Sequence, residues 1–256
     1  MKKSEAKTEF SRSYKLFTEA ISKILYFKLE MPGMLEYLKL EESITIKRHI
    51  VHGGLTEAQI KANEFELNRK LKAIDEHPKI IYSMSFIYIV AAFEVFLKDS
   101  IKILIRFNVD ILKKSEKKIS YSELFQFANY GELESFVSDK IVNELGYKTI
   151  SEQIKFLNEK IHIGLSFKRK KGIVANRKFI DLEIITEIFS TRNILLHNGG
   201  IINKRYLDAN PSSKYNLGHE IEFSREYLIE VWSEIRHNAE AIYRQSMKHI
   251  KNKTCI

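Results

Sequence analysis

From Glu9 to Glu30, apolar positions recur at intervals of three and four: Phe10, Tyr14, Phe17, Ile21, Ile24 and Leu25, continued by the aliphatic stem of Lys28. That spacing predicts one face of an amphipathic helix. Met31-Pro32-Gly33 reads as its stop, because proline removes a helical N–H and glycine loosens the backbone. A short helix is expected over Met34 to Leu40. Another opens at Leu55-Thr56-Glu57 with Thr56 as N-cap and runs to about Glu76, where His77-Pro78 closes an N-terminal third, residues 1–78.

Lys79 to Arg106 predicts a long and mostly buried helix. Ile80, Ile81, Met84, Phe86, Ile87, Ile89, Val90, Phe93, Phe96 and Leu97 cover nearly every face, as they would at a bundle centre. Lys113 to Lys118 reads as a solvated connector. Shorter amphipathic pieces follow at Tyr121 to Phe127, Leu133 to Leu145 and Ile150 to Ile161, resembling an insert more than a core. Leu165 to Lys178 lacks periodicity and carries Lys168, Arg169, Lys170, Lys171, Arg177 and Lys178, a basic loop. Asp181 should cap a helix that ends near His197 at Asn198-Gly199-Gly200. A last helix, about Ser224 to Lys248, sets Leu228, Val231, Trp232, Ile235, Ala239 and Ile242 on one stripe. The expected architecture is all-α: a helical bundle over 79–250, with an N-terminal helical extension at 1–78 and a helical insert at about 113–177.

Composition agrees, since 44% hydrophobic and 29% charged residues suit a soluble globular chain and exclude a disordered or fibrous one. Three prolines and ten glycines are too few for a many-stranded sandwich or barrel. The net charge of +9 favours polyanionic partners without choosing among RNA, DNA and acidic lipid. A single cysteine, Cys255, excludes an intrachain disulfide and a cysteine-based zinc site, and a reducing cytoplasm fits. The charged start Met1-Lys2-Lys3-Ser4-Glu5 argues against secretion, and the uncharged run from Ile80 to Phe93 is short of the roughly 20 residues that span a bilayer. No membrane association is expected.

The stretch that carries chemistry is Thr191-Arg192-Asn193-Ile194-Leu195-Leu196-His197-Asn198-Gly199-Gly200. On a helix, Ser190, Asn193 and His197 share a face, and the long side chain of Arg192 can reach the same surface. An imidazole can move a proton near neutral pH, and a guanidinium fork can hold the oxygens of a phosphodiester. Neither role needs a metal. At a helix C-terminus the same two side chains could instead cap carbonyls and complement the dipole, and spacing alone leaves both open.

In context, Arg192-Asn193-x-x-x-His197 resembles the signature of the HEPN superfamily: Arg, a polar residue, apolar residues, then His near the end of a bundle helix. Asn198-Gly199-Gly200-Ile201-Ile202 followed by Tyr206-Leu207 is similar to the continuation in many bacterial members. The helix bearing Ala91-Ala92-Phe93-Glu94-Val95-Phe96-Leu97 resembles the family's first core helix, with its acidic residue. The resemblance spans about Lys79 to Lys248, and only the motif helix is specific.

It implies a compact antiparallel bundle that dimerises through its motif helices around an RNA cleft. The activity it implies is a metal-independent endoribonuclease without cofactors, acting as a toxin or anti-phage effector, with an antitoxin or regulatory protein as a possible partner. His197 would then transfer protons, Arg192 hold the scissile phosphate, Asn193 supply the polar motif position and Glu94 orient Arg192 or His197. Lys168, Arg169, Lys170, Lys171 and Asn198 would contact RNA. Glu94 could instead pair with Lys98, one turn on. A catalytically silent module of the same fold, binding RNA, nucleotide or protein, is the main alternative, and a helical scaffold without nucleic-acid affinity is a third.

Arg48-His49-Ile50-Val51-His52-Gly53-Gly54 echoes the motif with one residue fewer and reads as a loop. His49 and His52 form an incomplete metal-ligand set, with Glu41 and Glu42 the possible additions. Trp232 reads as core. No phosphate-binding glycine loop, G-x-S-x-G or H-E-x-x-H occurs.

Overall fold

The computed structural model describes residues 1–52, 56–108, 110–113, 119–167 and 179–253, without the side chains of 27–29, 31–32, 45–52, 73, 75–77 and 112–113. Cys255, most of the expected connector and all of Lys168 to Lys171 therefore lie outside the described residues. Every named element among the described residues is a helix: α1 (Lys3–His52), α2 (Glu57–Phe107), α3 (Asp110–Lys113), α4 (Tyr121–Leu124), α5 (Tyr130–Gly146), α6 (Ile150–Glu159), α7 (Leu182–Asn198), α8 (Lys204–Ala209) and α9 (Arg225–Asn252). The chain is all-α.

The expected breaks at Met31-Pro32-Gly33 and His77-Pro78 do not occur. α1 runs through the first and α2 through the second, each about 75 Å long at 1.5 Å per residue. Thr56 does start α2, in a reciprocal capping box: its hydroxyl accepts from the Gln59 N–H while the Gln59 side chain accepts from the Thr56 N–H. The two helices form an antiparallel hairpin. Arg106 lies 3.5 Å from Glu9, Ser13 donates to Asp99 at 3.0 Å, and Lys70 reaches Glu42 at 2.9 Å. These ties set one register along the hairpin, in which Pro32 lies opposite the turn that contains Pro78. An interior proline costs about 3 kcal/mol. Side-by-side packing offsets it, with buried residues on either side of Pro78, Ile74 and Phe86, held in one helix.

The core is built where the α1 and α2 ends of the hairpin meet α9 and α7. Aromatic rings form its spine. Tyr14 stacks on Tyr243 of α9 at 4.2 Å between centroids, Phe17 meets Phe96 at 5.2 Å, Phe10 lies edge-on to Phe96 at 6.2 Å, and Phe93 meets Phe189 of α7 edge-on at 6.2 Å. The Ser224 cap and the stripe of α9 form as expected, although Trp232 is only partly buried, with the Arg236 guanidinium over its ring. Val142, Ile150, Ile154, Leu157 and Ile161, from the segment expected as an insert, join the same buried cluster as Phe10 and Phe93.

α2 is not covered on nearly every side. Ile80, Met84, Tyr88 and Val95 are each more than half exposed, with exposed Ala91 between them, and together they make one outward stripe over four helical turns. The segment Pro78–Phe107 is long and apolar enough to cross a membrane by length and composition. Its other face carries Phe86, Ile89, Val90, Phe93, Phe96 and Leu97 into the bundle core.

Removing the Phe96 ring should lower stability by about 3–5 kcal/mol, because it touches α1 rings on several sides. Phe65→Ala, at a 73% exposed position, should stay within about 0.5 kcal/mol. Urea denaturation of both variants checks the contrast; equal losses would contradict this assignment of the core.

Candidate active site

The motif lies at the end of α7. Asp181 caps the start of this helix as expected, its carboxylate accepting the N–H groups of Glu183 at 3.1 Å and Ile184 at 3.2 Å. Ile185, Ile188, Phe189, Thr191 and Ile194 bury one side. At the other end the chain turns through Gly199 (φ 60°) and Gly200 (φ 85°), left-handed conformations that glycine adopts without steric penalty. The Gly200 N–H returns to the Ile194 carbonyl at 3.2 Å. The chain then pairs with 218–221 through Ile202 N–H to His219 O (2.8 Å), Gly218 N–H to Ile202 O (2.9 Å) and Ile221 N–H to Gly200 O (3.0 Å). Buried Ile202 and Ile221 anchor this pairing in the core and so hold the His197 end of α7 in place.

Arg192 turns toward α2, where its Nη2 donates to Glu94 Oε1 in a half-buried ion pair. The Phe189 ring lies 5.7 Å from the guanidinium carbon, one turn below on the same helix. Asn193, Leu196 and His197 face solvent on the adjoining side. Among the described residues, the side chains of Asn193 and His197 have no hydrogen-bond partner. The geometry is a fixed guanidinium beside an accessible amide and imidazole.

No family model, curated protein or solved structure matches this chain. Glu94 meets Arg192 rather than Lys98, which is exposed on the next turn. Asn198 stands at the end of α7 with its side-chain amide turned onto the Ile201 carbonyl, so it closes the turn. Lys168, Arg169, Lys170 and Lys171 fall outside the described residues. The base of their segment is tied by Ile180 N–H to Ser166 O at 2.9 Å and by His237 Nε2 near Phe179 O at 3.2 Å. That base adjoins the N-terminus of α7, about 24 Å along the helix from His197.

The Arg48 to His52 stretch is helical, not a loop, since α1 continues to His52. Glu42, a suggested ligand partner there, is engaged by Lys70. Among the described residues no group of three or more His, Cys, Asp or Glu side chains could hold a metal ion.

Two supports of the site went unread in the sequence. Phe189 carries the guanidinium, and its i, i+3 spacing to Arg192 was the available signal. Behind the helix, Tyr206 of α8 donates to Glu187 Oε1 at 3.0 Å and Ser213 donates to the same oxygen at 3.3 Å. Burial, with the Glu187 carboxylate adding to it, pushes the Tyr206 phenol up to about 12, and burial also raises that of Tyr227.

A double-mutant cycle of Glu94→Ala with Arg192→Ala should give a coupling of about 1 kcal/mol in chemical denaturation, a figure kept small by partial exposure of the pair. Zero coupling would contradict the contact. The two phenols set an alkaline limit. In the unfolded chain they lose their protons near pH 10 while the folded chain retains them, so stability is complete below pH 10 and falls as pH rises toward 12. Thermal melts from pH 9 to 12 should show a shallower decline for Tyr206→Phe than for the unaltered protein.

Proposed function

We propose that this chain is a metal-independent endoribonuclease of the HEPN type, working in the cytoplasm as a homodimer and serving as a toxin or anti-phage effector. One observation carries the reading: Arg192, half-buried and held by Glu94 over Phe189, stands on the same helix end as exposed Asn193 and His197. A tethered guanidinium suits stabilisation of charge on a phosphate in the transition state, because its position costs no reorganisation when the charge develops. An accessible imidazole suits proton transfer to a group arriving from solvent.

In this mechanism His197 either takes the proton from a ribose 2′-hydroxyl, with water protonating the leaving 5′-oxygen, or protonates that oxygen, with water taking the 2′ proton. The 2′-oxygen attacks phosphorus and the bond from phosphorus to the 5′-oxygen breaks, leaving a 2′,3′-cyclic phosphate and a 5′-hydroxyl. Arg192 holds the non-bridging oxygens and Asn193 orients the imidazole or the substrate. DNA lacks the nucleophile and resists. A second copy of the chain would bring a second motif helix to the same cleft, and the outward stripe of Ile80, Met84, Tyr88 and Val95, on the helix that supplies Glu94, offers apolar surface for it. An antitoxin or regulatory protein is a further proposed partner.

The Arg192–Glu94 pair also favours a second reading, because a guanidinium engaged within its own chain is less free to take a phosphate. On that reading the chain is a silent module of the same fold that binds RNA, a nucleotide or a protein.

Purified protein incubated with cellular RNA in EDTA should cut it, leaving cyclic-phosphate and 5′-hydroxyl ends. His197→Ala and Arg192→Ala should each lower the rate at least about 100-fold. Salt-sensitive RNA binding with equal inactivity of all three proteins selects the silent module. Equal activity of all three refutes both readings of the site.

A further inference from the structure

Two adjoining cavities lie apart from the motif, at the C-terminal end of α2. The first, about 700 Å³, is walled by Ile111, Ile141, Leu145 and Phe156, with Lys148 and Lys160 and the carboxylates Asp110, Glu144 and Glu159 also lining it. The second, about 450 Å³, is lined by Ile163, Gly164, Gln245, Lys248, His249, Asn252 and Lys253. His162 lines both. The Lys253 ammonium of the second donates to Asn108 Oδ1 of the first, which makes the two chambers one composite site. Asn108 lies about 21 Å along α2 from Glu94, so this site is separate from the Arg192 and His197 surface.

Three features suit it to a ligand. Each chamber falls in the usual size range of small-molecule pockets, and apolar walls are joined there by converging polar groups. Its charge is segregated: the apolar chamber mixes both signs, while the second chamber carries Lys248 and Lys253 and no carboxylate. At its junction stands His162, a non-glycine residue at φ 62°, in the turn that ends α6, where the Ile163 N–H returns to the Leu157 carbonyl at 3.2 Å. A glycine would hold that turn without strain; a histidine there carries backbone strain and places an imidazole at the boundary. Beside it, His249 Nε2 is buried without a partner among the described residues, on the wall of the basic chamber.

We propose that this composite cavity binds a nucleotide, with its base between Ile141, Leu145 and Phe156 and its phosphates over Lys248, Lys253, His162 and His249. The chamber walled by Ile141, Leu145 and Phe156 accepts a heterocycle, and Glu159, which also lines it, accepts hydrogen bonds from the exocyclic amino group of a base. The basic chamber supplies charge-assisted donors for phosphate oxygens. A ligand needs both ends to fill both chambers. Inorganic phosphate alone forfeits the apolar burial, and a nucleoside alone forfeits the charge. The inference stands apart from the ribonuclease reading, since no residue is shared between the two sites.

Isothermal titration calorimetry on the full chain tests it with ATP, UTP, adenosine and inorganic phosphate. ATP should bind at least 10-fold more tightly than UTP, whose base has no exocyclic amino group, and than adenosine or phosphate. Lys248→Glu, at an exposed position where folding is not at stake, should weaken ATP by 10-fold or more. Ile141→Trp, which fills the apolar chamber, should do the same without changing the affinity for phosphate. Absence of ATP binding at millimolar concentration, unchanged affinity in the Lys248→Glu variant, or phosphate binding as tightly as ATP would each overturn the proposal.

Discussion

Two consecutive residues of α2 dock on two residues one turn apart on α7: Phe93 meets the edge of the Phe189 ring while Glu94 takes the Arg192 guanidinium. The apolar contact sets the depth of α7 against the bundle, and the charged contact sets its rotation about its own axis. With both satisfied, Ile185, Ile188 and Ile194 are turned inward, and Asn193, Leu196 and His197 have no direction left but outward. The same rings pass the constraint on to α1 and α9, since Phe93 lies against Phe17 and, through Phe96, reaches Tyr14 and its stacked partner Tyr243. The orientation of the motif thus depends on packing that begins in the first turns of the chain.

Much of this was legible locally. Thr56, Asp181 and Ser224 start helices because a side-chain oxygen and an unsatisfied N–H are neighbours in sequence, and Gly199 ends one because only the backbone matters there. The errors were also local in origin. Pro32 and Pro78 were read as stops because each weakens its own helix, whereas what keeps both helices going is packing between segments tens of residues apart. The stripe from Ile80 to Val95 was assigned to the core for a related reason: periodicity reports that a face is apolar, not what covers it.

The site itself was partly legible. Arg192, Asn193 and His197 share a short helical stretch, so their juxtaposition follows from spacing alone. The partner of Arg192 is 98 positions away, and no local pattern chooses Arg192 over Lys98 as the partner of Glu94. The composite cavity was beyond reach for the same reason, since its walls come from the end of α2, from α3, α5 and α6, and from the last turns of α9.

The two prolines of the hairpin have a mechanical consequence. Each deletes a backbone hydrogen bond from its own helix, and because the two deletions fall within about two turns of each other, bending stiffness is lowest along that stretch. Beyond it the remaining turns of α1 and α2 form an arm whose far end lies away from the core cluster. A force applied at that end is felt at the prolines as a torque, and α2 continues without a break from Pro78 to Glu94. Bending of the far arm is thereby taken up at the prolines, and the stretch of α2 that carries Glu94 to Arg192 keeps its place in the core.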